Sequence, residues 1–291
     1  MSHPTATIPP VQHHRTEVNG TTLHHVTAGT RGTTVLLVHG FPETWWAFHR
    51  LIPLLAEHHR VVAVDLRGFG DSAVADDTVT STVAAEDLHQ LIAALGAGPV
   101  HLVGQDIAGG TLLRLATAYP QDVASFTAVE MGLAGFGLEA FADVTRGGSW
   151  HIGALAAPGI ADLLLTGRER DLLGWWFPTT TAVAGAVTEA DLDELARTFA
   201  RPGGWRGAAG LYRSMLAEGA QNQEIARRHP VAVPALAVGG SGGELTAATL
   251  RQVVSADLTS VLLPGVGHHV ALEAPGALAA AVLDLTRAVG G

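Results

Sequence analysis

The sequence predicts an α/β fold: a mostly parallel central sheet flanked by helices, with a helical cap inserted late in the chain. Three observations predict it. Short β-branched runs alternate with helix-length stretches up to about Gly135. From there to about Arg228 no convincing strand occurs. Strand-like runs then resume at Pro234.

The elements follow in order. Thr22 to Thr27, Thr34 to His39 and Val61 to Asp65 are rich in valine and threonine, which pack well on a pleated surface. Pro99 to Gly104 and Ala124 to Val129 read the same way. Helical patterns at Ser81 to Leu95 and Ile107 to Ala118 separate the last three of these runs, and strand–helix–strand units of this kind lie parallel. Within 135–228 the helices include Pro158 to Leu165 and Glu189 to Arg197, the latter opened by a Thr188 capping signal. Strands are expected again at Pro234 to Val238 and Leu258 to Pro264, and a last helix at Ala277 to Val289. The division is therefore a sheet domain, 1–134 with 229–291, and a helical cap, 135–228.

Composition removes several chemistries. The 291 residues contain no cysteine, and all 17 basic residues are arginine. Thiol nucleophiles, thiolate metal sites and lysine Schiff bases are excluded. No metal and no cofactor is expected. The net charge of −10, with no arginine cluster, argues against nucleic acid and against anionic membrane surfaces. The longest apolar stretches, such as Ala277 to Leu283, are too short to cross a bilayer. Met1 to Arg15 is polar, without a hydrophobic signal core, which predicts a cytoplasmic protein.

The central signal is Gly104-Gln105-Asp106-Ile107-Ala108, which follows a strand and opens a helix. A sharp strand-to-helix turn presents its central side chain and requires small residues two places before and after it. Gly104 and Ala108 satisfy that. The familiar form of this turn carries serine; here the centre is Asp106. A carboxylate can displace a leaving group at saturated carbon to form an alkyl ester, and water can then cleave that ester. The reading is epoxide opening or carbon–halogen cleavage, set against the plainer one of an aspartate capping a helix.

Two further segments favour catalysis. His39-Gly40-Phe41-Pro42 ends a strand where an oxyanion loop belongs, so the backbone N–H groups of Phe41 and Ile107 are the candidate oxyanion hole. Gly265-Val266-Gly267-His268-His269 follows another strand and makes His268 the candidate general base, with His269 as the fallback. The orienting acid is Glu130 or Glu244. Glu130, at a strand end, is better preorganised than Glu244, which follows the glycine-rich run Gly239 to Gly243.

These segments, with Asp65-Leu66-Arg67-Gly68-Phe69-Gly70-Asp71-Ser72, resemble the α/β-hydrolases of the epoxide hydrolase group from about Val18 to Val289. The chain is most similar to bacterial Cif-type epoxide hydrolases. That resemblance implies Glu130 as relay acid and a ring-opening pair of His151, after Trp150, and Tyr212, before Arg213. It also implies a small-molecule epoxide substrate and water as reactants, and a possible homodimer. Trp150, Trp175, Trp176 and Phe177 would line the pocket, with His269 beside the base; as ordinary cap residues they would simply pack. A dehalogenase is the alternative. Against it, Ile107 replaces the tryptophan or arginine expected after the nucleophile, and Trp150-His151 reverses the His-Trp order of fluoroacetate dehalogenases. A catalytically silent protein of this fold is the third reading.

Overall fold

The computed structural model describes residues 5–74 and 79–290. Its eight strands are β1 (Gln12–Val18), β2 (Thr21–Ala28), β3 (Thr34–Val38), β4 (Arg60–Val64), β5 (Val100–Gln105), β6 (Val123–Val129), β7 (Ala235–Gly239) and β8 (Leu258–Leu262). They form one sheet in the order β1-β2-β4-β3-β5-β6-β7-β8. The pairings β1–β2 and β2–β4 are antiparallel, and the rest are parallel.

The helices are α1 (Ile52–Ala56), α2 (Ser81–Ala94), α3 (Gly109–Ala118), α4 (Trp150–Ala156), α5 (Ile160–Leu165), α6 (Glu169–Thr180), α7 (Glu189–Phe199), α8 (Arg206–Ala217), α9 (Gly219–Arg228), α10 (Gly243–Val253), α11 (Val270–Glu273) and α12 (Pro275–Gly290). None is long and apolar enough to cross a membrane.

Strands β3, β5 and β7 are buried along their whole length. That is why β3 and β7 read as near-continuous apolar runs rather than as alternating ones, while β5 buries the polar His101 and Gln105 as well. Side-chain alternation divides the core in two. Leu36 and Val38 pack with residues of α2 and α3, whereas Val35 and Leu37 pack with residues of α1 and α12.

The one strand absent from the sequence reading is β1. Its Gln12, His13, His14 and Arg15 are all exposed, because it is an edge strand paired only with β2. Such a strand has no apolar face to announce it. The elbow helix also starts later than expected: a short 3-10 turn spans Asp106–Ala108 before α3 begins.

No strand occurs among the described residues between β6 and β7, and helices α4 to α9 fill that interval. α7 opens with the expected capping box, Thr188 and Asp191 exchanging side-chain and backbone hydrogen bonds. Polar contacts fasten these helices to the sheet layer. Asp191 accepts from Trp46 Nε1 at 2.8 Å and pairs with Arg50 at 3.1 Å. Arg197 pairs with Asp71 at 2.8 Å, and Arg114 of α3 pairs with Glu218 at 3.2 Å. The result is a cavity between the parallel strand ends and the helices above them.

Candidate active site

Gln105 on β5 is paired with Val129 on β6, so Asp106 and Glu130 are the next residues out on neighbouring strands. Both adopt left-handed backbone, φ 53° and φ 47°. A non-glycine residue in that region costs about 1–3 kcal/mol and persists only where its surroundings enforce it. Here the surroundings do so by close approach. A Cβ at Gly104 would fall 1.9 Å from Leu112 Cδ1, which explains the small residue two places before Asp106.

Asp106 Oδ2 accepts the Phe41 N–H at 3.0 Å. Burial works against the carboxylate's charge, but His268 and the N–H groups of Phe41 and Ile107 outweigh it and hold the carboxyl below its ordinary range. The two backbone donors expected of an oxyanion hole thus already face this side chain.

His268 Nε2 lies 3.6 Å from Asp106 Oδ1, and its Nδ1 lies 3.2 Å from Glu130 Oε2. Burial opposes the imidazolium, yet the two carboxylates prevail and raise its pKa to about 10. Glu130 is held in turn: its two carboxylate oxygens accept the Gly242 N–H at 3.0 and 2.9 Å. A Cβ at Gly239 or Gly242 would lie 2.4 or 2.7 Å from a Glu130 oxygen. The glycine-rich run is therefore the cradle of Glu130, and Glu244 stays exposed in the first turn of α10.

Opposite Asp106, His151 Nε2 and the Tyr212 hydroxyl are 2.9 Å apart, and the Ser149 hydroxyl meets His151 Nδ1. Burial lowers the His151 pKa to about 4, so this ring is neutral near pH 7. Burial also pushes the Tyr212 phenol well above its usual value, so its proton stays in place. A cavity of about 620 Å³ joins the whole set. Asp106, Glu130, His268, His151, Tyr212, Phe41, Ile107 and Trp176 all line it.

Four expected lining residues do not. Phe177, one position on from Trp176 in α6, turns to the other side of the helix, is buried, and rests against His269 at 4.6 Å between ring centroids. Trp150 and Trp175 are outward, 40% and 53% exposed, and lie 6.3 Å apart. His269 is fully buried on the side away from the cavity. Its Nδ1 meets Glu43 Oε1 at 2.7 Å and its Nε2 meets Thr180 Oγ1 at 3.0 Å. Consecutive residues on a helix or loop cannot all face one hollow.

Sequence reasoning missed two buried carboxylates. Glu43 bonds Gln105 at 3.0 Å, His269 and the Gly40 N–H, so it touches the elbow, the base loop and the oxyanion loop together. Glu273 accepts the N–H groups of Gly267 and His269 at 2.9 and 3.1 Å, and those of Ala182 and Val183 at 2.7 and 2.9 Å. The only signal for either was a position a few residues from a motif.

Comparison with known proteins agrees with the fold. The model of the α/β hydrolase fold family matches residues 33–147. Over 106 residues the chain is 37% identical to a soluble epoxide hydrolase of Corynebacterium sp. strain C12, a match covering 36% of this chain and only 37% of that protein. It is 29% identical over 269 residues to a fluoroacetate dehalogenase of Burkholderia sp., covering 87% and 86% of the two chains. The solved epoxide hydrolase A of Mycobacterium thermoresistibile superposes with a TM-score of 0.83 at 26% identity, over 95% of this chain and 98% of that one. The chain has the fold of the α/β hydrolases, and the proteins of that fold it is similar to include epoxide hydrolases and a fluoroacetate dehalogenase.

Proposed function

We propose that the protein hydrolyses an epoxide to a vicinal diol through an ester on Asp106. One observation carries the reading: a single cavity holds a carboxylate gripped by a backbone N–H on one side and the neutral His151–Tyr212 pair on the other. A dehalogenase would need to stabilise a departing halide. An epoxide hydrolase must stabilise an oxygen that stays on the product, which is what two neutral donors do.

Asp106 attacks a ring carbon, and the breaking C–O bond leaves its electron pair on the ring oxygen. Hydrogen bonds from Tyr212 and His151 hold that charge. The oxygen then takes a proton, supplied in net terms by the His268 imidazolium. The ester carries no charge, so His268 loses one of the two carboxylates that kept it protonated. It is now a free base. It takes a proton from water, and hydroxide adds to the Asp106 carbonyl carbon, with the oxyanion against Phe41 and Ile107 N–H. Collapse breaks the ester, the departing alkoxide takes the proton of the added hydroxyl and leaves as the diol, and the Asp106 carboxylate and the imidazolium are restored. Glu130 orients His268 throughout, and the helices of 135–228 act as the lid.

The test is diol formation from small oxiranes, with intact-mass measurement of His268→Ala. The expected result is an adduct of substrate mass on Asp106. Diol formation at the wild-type rate by Asp106→Ala would overturn the mechanism. The second reading, hydrolytic dehalogenation by the same carboxylate, draws on the near full-length similarity to a fluoroacetate dehalogenase. Release of fluoride from fluoroacetate would establish it.

A further inference from the structure

The cavity's charge and lining select among epoxides. Its ionisable lining groups are Asp106, Glu130, His268, His151 and Tyr212, and no arginine is among the lining residues. In the resting state the two carboxylates face one imidazolium, which leaves the cavity with an excess negative charge. The lining hydroxyls are also committed. Thr179 Oγ1 donates to Trp176 O at 2.7 Å, Thr181 Oγ1 to Phe177 O at 2.8 Å, and Thr246 Oγ1 to Gly242 O at 3.2 Å. The Ser149 hydroxyl is taken by His151, and that of Ser241 reaches Glu130 at 3.4 Å. What remains for a substituent is mainly apolar, Leu138, Phe141, Ile152, Met215 and Leu245, beside one neutral unpartnered N–H, the buried Nε1 of Trp176.

Resting on the epoxide reading above, we infer that the substrate is an uncharged epoxide bearing an extended apolar substituent, and that epoxides carrying a carboxylate are excluded. A volume of about 620 Å³ falls in the range that encloses a drug-sized ligand, well beyond a two- or three-carbon one. A carboxylate brought in would meet like charge, no cation and no free hydroxyl donor, and would leave its hydration outside. Each methylene added to the substituent should raise kcat/KM about threefold until the cavity is filled.

The experiment compares three substrates on the wild-type protein: methyloxirane, hexyloxirane, and a counterpart of hexyloxirane ending in a carboxylate. Hexyloxirane, five methylenes longer, is expected to exceed methyloxirane by about 200-fold in kcat/KM, and its carboxylate counterpart by about 100-fold or more. Phe141→Arg, at a side chain that lines the cavity yet is 45% exposed, should narrow the second ratio at least tenfold while diol still forms. Equal or better turnover of the carboxylate overturns the inference. If no oxirane yields diol, the epoxide reading fails instead. Binding then decides the class: tryptophan fluorescence is titrated with the diol of hexyloxirane and with its carboxylate counterpart. Tighter binding of the neutral diol sustains the inference, and equal or tighter binding of the carboxylate sinks it.

Discussion

Glu273 grips the backbone on both sides of His268: it accepts the N–H groups of Gly267 and His269, and with the same carboxylate those of Ala182 and Val183 just beyond α6. The His268 N–H itself donates to Thr180 O at 2.8 Å. The loop bearing the proposed base is thus tied to the helical segment above the cavity, and the two can shift only together.

Replacing Glu273 by glutamine exchanges one acceptor oxygen for a donor that faces backbone N–H groups. An unsatisfied buried donor costs about 1–3 kcal/mol, so melting should fall by roughly 3–8 °C. In the proposed reaction Glu273 only positions His268. Single-turnover kinetics should show slower ester hydrolysis with ester formation nearly unchanged, and Glu273→Asp should recover part of the loss. Equal slowing of both steps would mean a general loss of structure.

Glu130 and Glu244 give opposite expectations. Glu130→Gln weakens the partner that orients His268 and should slow ester hydrolysis about 100-fold or more. Glu244 is exposed and away from the cavity, and Glu244→Gln should change the rate by less than about twofold. Quenched-flow measurement of the ester's decay distinguishes them.

Tyr212→Phe and His151→Phe should affect the other half of the cycle. In the proposed reaction each variant lacks a donor to the opening ring, so ester formation should slow by about 100-fold. Decay of ester already formed should be nearly unaffected. A decay defect as large as the formation defect would remove these residues from the ring-opening role.

The pH dependence has two arms of opposite sign. His268 is raised from 6.5 to about 10 in the folded protein. Its stabilising contribution is complete below pH 6.5 and is lost as pH rises through about 10. Asp106→Asn removes one of its two charged partners and should flatten that alkaline loss. On the acid side, burial lowers His25, His101 and His151 to about 4. The unfolded chain takes up protons from pH 6.5 downward while these three rings stay neutral. Stability should therefore fall between pH 6.5 and 4, and His25→Phe should lessen the fall. Melting temperatures across both ranges check each arm.

Much of this arrangement was legible in the residues. Parallel strands buried on both faces appear as apolar runs, and the elbow needs Gly104, so the strands around Asp106 and the turn that bears it could be read from local pattern. The glycines at 239–243 misled in one respect. They looked like a loop too loose to hold an acid, and the structure uses their lack of side chains to admit Glu130. Edge strand β1 was invisible because four of its residues face solvent. The pocket residues were least legible. Trp150, Trp175, Trp176 and Phe177 are alike in sequence, and only the rotation of α4 and α6 decides that Trp176 alone lines the cavity. Glu43 and Glu273 act through contacts between segments more than 200 positions apart or across a loop and a helix end, which no local pattern encodes.

The shared left-handed geometry of Asp106 and Glu130 makes the sheet a ruler. Two neighbouring strands run in parallel, stop at the same mark, and kink the same way, so the spacing between the two acids is inherited from hydrogen-bonded backbone rather than tuned by side-chain packing. An engineer reshaping the cavity through Leu138, Phe141 or Met215 would leave that spacing intact. One altering the pairing of β5 with β6 would lose both acids at a stroke.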